Sequence, residues 1–227
     1  MTVLVRCHDV GRTFGAGTTA VPAVRAVNCQ VHQGDLIAVT GRSGSGKSTL
    51  LHLMGDLDRP TSGVVSWPGL SEDPGRVGFV FQAPSLLGPL DVCENVALPL
   101  LFADIGEAEA RRRAEEALEV LGIADLGHRL PHELSGGQAQ RVAVARVLAA
   151  RSPLVLADEP TARLDPEHRD RVIDALLAFA ERTGAALVVA THDVAVAARF
   201  TLRWRVHDGL LDPAAAETAR GQGASTC

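Results

Sequence analysis

The segment Gly41-Arg42-Ser43-Gly44-Ser45-Gly46-Lys47-Ser48-Thr49 fits G-x-x-x-x-G-K-[ST] and stands between an apolar run, DLIAVT, and an amphipathic one, KSTLLHLMGDL. Nothing else in the chain restricts its fold as much. A glycine-rich turn leading from a buried strand into a helix leaves backbone N–H groups bare, and the helix N-terminus faces the same anion. In such a loop the lysine bridges β- and γ-phosphates and the following hydroxyl ligates Mg²⁺, roles that fall here to Lys47 and Ser48. Lys47 is the sole lysine among 22 basic residues, the other 21 being Arg. A compact ammonium on a flexible stem fits where a planar guanidinium fork does not. The segment predicts a site for ATP or GTP.

Around this motif the chain alternates strand and helix patterns. VLVRCH and AVRAVNCQV read as short strands separated by a GAGTTAVPA loop, VVSW as another, and RVGFVFQ as a strand ending at Gln82. Leu50, Leu53, Met54 and Leu57 fall on one side of the helix after the glycine loop. Residues 83–150 are mostly helical in pattern. Ala110, Ala114, Ala117, Leu118 and Leu121 form one apolar stripe, Arg111–Arg113 belong to the solvated face, and Val142, Ala145, Leu148 and Ala149 point inward. LVLADE and ALVVAT read as strands flanking a helix that stops at Gly184. A short helix near VAVAAR and two short strands in TLRWRVHDGLL complete the pattern. The expectation is an α/β fold: a mainly parallel, helix-covered sheet over residues 1–212, N-terminal antiparallel strands, an inserted helical subdomain and a flexible tail at 213–227.

Two further motifs carry chemistry. LVLADEP places Asp158 and Glu159 at the C-terminal end of a strand, where ligands sit in open α/β sheets. Asp158 is expected to hold Mg²⁺ through water, and Glu159 to polarise the attacking water as general base. Leu134-Ser135-Gly136-Gly137-Gln138 opens a helix and offers a hydroxyl and glycine amides to a second anion.

With LSGGQ the chain resembles the ATP-binding-cassette (ABC) ATPases, P-loop proteins, over about residues 3–211. The resemblance implies that Ser135, Gly136, Gly137 and Gln138 meet the γ-phosphate held by an opposite subunit. It makes Gln82 the glutamine that senses Mg²⁺ and γ-phosphate, and His192, in VVATHD, the switch histidine. It places Asp165 of TARLD at the dimer interface and Phe14 against adenine, although a core Phe would look the same. GDLDRPTSG, VGFVFQ and LLGPLDVCENVALPLL are most similar to the lipoprotein-release and macrolide-exporter branch. Two departures stand out: a short stretch between Gly63 and Arg76, and Arg163 where small or amide residues are usual.

The resemblance further implies ATP and Mg²⁺ as cofactors, a head-to-tail homodimer, and separate transmembrane permease subunits. Those subunits would hold the protein at the cytoplasmic face of the membrane. A formal net charge of −5 and the lack of a basic face argue against a nucleic-acid partner. Cys7, Cys29, Cys93 and Cys227 form no C-x-x-C pair, so neither a zinc site nor a disulfide framework is expected. The start MTVLVRCHDV lacks a signal peptide's features, and no apolar run reaches bilayer length. A non-transport ABC ATPase, in envelope signalling or nucleic-acid metabolism, would share the same motor residues.

Overall fold

The structure, a computed structural model, describes residues 2–72 and 75–212, so the expected tail at 213–227 lies outside the described residues. The fold divides into two compact units, one formed by residues to Leu70 and from Ala186, the other by Ser71–Ala185.

The first unit holds two sheets. β1 (Val3–Phe14) lies between β2 (Val21–His32) and β4 (Ser62–Ser66), antiparallel to both. β3 (Leu36–Thr40) lies between β7 (Ala186–Ala190) and β8 (Leu202–His207), parallel to both, and β9 (Leu210–Leu211) closes a hairpin on β8. Because β3 is paired on both sides and covered on both faces, its Ile37, Ala38 and Val39 are fully buried, which explains an unbroken apolar run in place of alternation. α1 (Lys47–Met54) follows β3 and buries Leu50, Leu51, Leu53 and Met54. Leu57 does not join that stripe. The helix stops at Met54, Asp56 turns to φ +58°, and Leu57 is left exposed.

In the second unit β5 (Val77–Val80) runs parallel to β6 (Leu154–Asp158). α2 (Val92–Phe102), α3 (Glu107–Val120) and α4 (Gly136–Ala150) pack together, and α4 also meets α5 (Pro166–Thr183). The expected stripe on α3 is buried from Ala110 to Leu121, as are Val142, Ala145, Leu148 and Ala149 of α4. Arg111, Arg112 and Arg113 pair with Glu115, Glu109 and Glu116 along the outer surface of α3, the solvated face expected. α5 ends at Gly184 in the left-handed conformation, φ +70°.

Three strands differ from the sequence expectation. β1 and β2 are longer than the hydrophobic pattern predicts, and Val21 and Pro22 belong to β2 instead of the loop. β2 is an edge strand, where a proline lacking its N–H is tolerated. The polar middle of the ladder is irregular: Asp9 and Ala26 take positive φ, and Asn28 bonds the side chain of Asp9 at 2.7 Å. β5 stops at Val80, two residues before Gln82.

Candidate functional site

In the first unit the glycine loop joins β3 to α1 against two neighbours. A Cβ on Gly46, at φ +107°, would fall on the Ala23 carbonyl of β2, and one on Gly41 would fall on the Val206 carbonyl of β8. Gly209 donates to the Ser45 carbonyl at 2.9 Å and its own carbonyl accepts from Arg25 of β2 at 2.8 Å. The loop is therefore clamped from behind while Arg42, Ser43 and Gly44 stay exposed in front. α1 starts without a side-chain cap, Gly46 occupying the position where Asp91 caps α2 and Ser135 caps α4. Its first-turn N–H groups have no side-chain acceptor, which suits an anion. Lys47 is buried, and its Nζ donates to the carbonyls of Gly41 at 2.9 Å and Arg42 at 3.1 Å. An ammonium has three donors, so one remains for phosphate. Ser48 and Thr49 follow in the first turn, half-buried.

Phe14 ends β1 and is 44% exposed, which rules out the core alternative. The Arg12 guanidinium lies over its ring at 4.6 Å and is fixed by Asp58, Nε to Oδ2 2.8 Å. Arg12 then has a role the sequence reading missed. The signal was present, since residues two apart on a strand share a face; Asp58, 46 positions from Arg12, left none. His192 follows β7 after one intervening residue, Thr191, and is exposed, just before Asp193 caps the short helix α6 (Val194–Ala197).

In the second unit β6 delivers Asp158 and Glu159, both buried. Glu159 has φ +47°, a conformation that costs a non-glycine residue about 1–3 kcal/mol. Gln82 lies exposed in the bend after β5. Two side chains of α4 hold that bend: Gln140 Nε2 donates to the Phe81 carbonyl at 3.2 Å, and Arg146 Nη1 to the Ser85 carbonyl at 2.7 Å.

The same helix begins with the LSGGQ residues. The Ser135 hydroxyl accepts from the Gln138 N–H at 3.2 Å, and Gln138 Oε1 accepts from the Ser135 N–H at 2.8 Å. This capping box leaves the Ser135 O–H proton free to donate, with Ser135 and Gly136 exposed. A Cβ on Gly136 would come within 3.9 Å of the Arg163 side chain and one on Gly137 within 3.3 Å of Leu164, so the unusual arginine lies beside the signature turn of its own chain. Asp165 caps α5, accepting from the His168 N–H at 2.9 Å, and that bond and the His168 ring hold its carboxyl below the usual carboxylate range.

The structure thus groups Phe14, the glycine loop and His192 in one unit, and Gln82, the LSGGQ turn, Asp158, Glu159 and Asp165 in the other. Both groups fit a Mg²⁺-triphosphate. Ser45 Oγ and Asp158 Oδ1 are buried with no hydrogen-bond partner among the described residues, a state costing about 1–3 kcal/mol that a phosphate or a hydrated cation relieves. No group of three His, Cys, Asp or Glu side chains among the described residues makes a metal site, so a cation here takes phosphate and water oxygens as further ligands. A glycine cradle with a buried lysine and a strand ending in paired carboxylates together define a P-loop nucleoside triphosphatase.

Residues 24–162 match the ABC transporter family. An ABC transporter ATP-binding protein of Thermotoga maritima is 41% identical over 223 residues, covering 93% of this chain and 95% of its own length. The lipoprotein-releasing system ATP-binding protein LolD of Geobacter metallireducens is 42% identical over 225 residues, covering 92% and 98%. An ATP-binding cassette solved as a dimer in a post-hydrolysis state, bound to ADP and Pi, superposes with a TM-score of 0.84 at 36% identity, covering 92% of this chain and 97% of that one. The chain belongs to the ABC transporter family, as an ATP-binding and ATP-hydrolysing subunit that works with Mg²⁺. No helix among its described residues is long and apolar enough to cross a membrane.

Proposed function

We propose that two copies of this chain close head-to-tail on two ATP molecules and drive separate transmembrane permease subunits, in a lipoprotein-release type of transporter. One copy supplies Lys47, Ser48, Asp158, Glu159, Gln82 and His192 to each site, and the other supplies Ser135, Gly136 and Gly137. The observation that carries this reading is the exposed start of α4, a capped helix N-terminus whose serine proton and glycine amides are free for an external anion. A two-fold pairing satisfies both such surfaces at once. The dimeric cassette with ADP and Pi and the lipoprotein-releasing relative support it.

Within each site Lys47 and the loop amides hold and orient the phosphates, and Phe14 stacks on adenine. Mg²⁺, when bound through Ser48 and Asp158, neutralises charge on the phosphate oxygens. Glu159 takes the proton of the attacking water, and His192 holds the γ-phosphate in line. The permease places the protein at the inner membrane face. Glu159→Gln tests the reading: it should bind ATP normally, lower turnover by about 10²–10⁴-fold, and accumulate as a dimer by light scattering with ATP and Mg²⁺. Normal turnover would remove the general-base role, and a strictly monomeric, ATP-saturated variant would remove the sandwich.

A further inference from the structure

Cys7 and Cys29 are 22 positions apart in sequence, but the β1–β2 ladder sets them directly opposite each other. Side chains of directly opposed residues lie on the same face of an antiparallel pair, with Cα atoms about 4.5–5.5 Å apart. A disulfide needs about 4.4–6.8 Å. The Cys7 side chain beside it, with burial adding to the effect, pushes the Cys29 thiol well above its usual range. Cys7 is 3% exposed, whereas Cys29 is of intermediate exposure. We propose that Cys7 and Cys29 form a reversible dithiol modification site, oxidised to a cross-strand disulfide by low-molecular-weight disulfides such as oxidised glutathione.

Exposure sets the order of events. Cys29 loses its proton to water in only a small fraction of molecules, because its thiol is held high, so this first step is slow and speeds up as pH rises. Its sulfur then attacks one sulfur of the small disulfide, releasing one small thiolate and leaving a mixed disulfide. Cys7 then loses its proton, and its sulfur displaces the second small thiolate from Cys29. Two protein S–H bonds and one small S–S bond are exchanged for one protein S–S bond and two small thiols, so the small disulfide is reduced as the protein is oxidised. No strand has to move, because the register is already formed. The product pins β1, which ends in Phe14, to β2, whose Ala23 carbonyl backs the phosphate loop. Among the described residues Cys93 has no such partner: it lies buried in α2, its thiol raised chiefly by burial. The site is independent of the transport reading.

The test uses the full-length protein, folded, incubated with oxidised glutathione, then acid-quenched, denatured, alkylated and digested with trypsin. The expected product is peptide Cys7–Arg12 joined to Ala26–Arg42, two hydrogens lighter than the sum of the two and split by a reductant. It should exceed every other cysteine pairing by about tenfold or more, because the two sulfurs are pre-aligned. Cys7→Ser should stop at the glutathione adduct on Cys29. Three results overturn the proposal. One is both cysteines recovered alkylated while the same protein unfolded in guanidinium is oxidised. Another is a glutathione adduct on Cys29 that persists with Cys7 still free. The third is Cys29 cross-linked to Cys93 or Cys227 in equal yield.

Discussion

Replacing Phe14 with Ala separates nucleotide stacking from packing, because the structure fixes what each is worth. The residue is 44% exposed, so truncation loses about half of the 1.5–3 kcal/mol that a fully buried Phe contributes. The Arg12 contact at 4.6 Å adds about 0.5–1 kcal/mol at such a surface position. The sum, roughly 1.3–2.5 kcal/mol, lowers the melting temperature by about 3–10 °C in a chain of this size. Most of a typical 5–15 kcal/mol of stability survives, so the variant stays folded at 25 °C. Base stacking on an aromatic ring is worth about 1–3 kcal/mol, which weakens ATP binding by roughly 5- to 150-fold. Inorganic tripolyphosphate has no base and should bind both proteins equally. Calorimetric titration of each ligand into each protein gives a ratio that lost stability cannot imitate. An equal loss for ATP and tripolyphosphate, or no loss for either, refutes the stacking role.

Lys47→Ala removes a charge-assisted bond to phosphate worth about 1.5–3 kcal/mol, so calorimetry should find ATP bound roughly 10- to 150-fold more weakly; unchanged affinity would contradict the phosphate-loop role. Ser135→Ala should lower stability by about 0.5–2 kcal/mol through the lost cap, whereas Ser135→Asn keeps a cap and should melt normally. Both should lose ATP turnover, and a fully active Asn variant would reduce Ser135 to a cap. Glu109, held down to about 2 by hydrogen bonds from Arg112 and Arg113, has a folded pKa below its ordinary 4.5. Its contribution is therefore complete above pH 4.5 and disappears as pH falls to about 2. Glu109→Gln should lower the urea midpoint at pH 7 and match the parent near pH 2; a constant difference across that window would exclude the linkage.

The elements whose sequence carried their own punctuation were legible. β3 and α1 were fixed by an apolar run meeting a glycine loop, α3 by its stripe, and the end of α5 by Gly184. The antiparallel ladder was harder to read, since its irregular middle depends on Asp9 and Asn28 meeting across strands, and short-range pattern does not encode such pairings. The polar Pro22 edge resembled a loop because edge strands accept loop-like residues. At the site, the motifs named the candidate side chains but not their supports. Asp58 behind Arg12 and Arg163 beside the signature glycines are brought in by folding. The Cys7–Cys29 pairing was invisible for the same reason: spacing in sequence says nothing about register until two strands are aligned.

One consequence of those supports concerns how the signature and Gln82 act together. α4 carries Ser135 at its first turn, and its Gln140 and Arg146 grip the carbonyls of Phe81 and Ser85. Gln82 lies between those two anchors. Gln140 is buried, so its bond to the Phe81 carbonyl is the firmer of the two, whereas the Arg146 bond to the Ser85 carbonyl at 2.7 Å lies at the surface. A rotation of α4 that moves Ser135 would pull on the Gln82 bend through these two bonds. An α-helix transmits such a displacement along its axis with little loss, since its backbone bonds resist stretching over these few turns. Gln82 and Ser135, the residues proposed to meet the metal and the phosphate, are thereby joined through one helix.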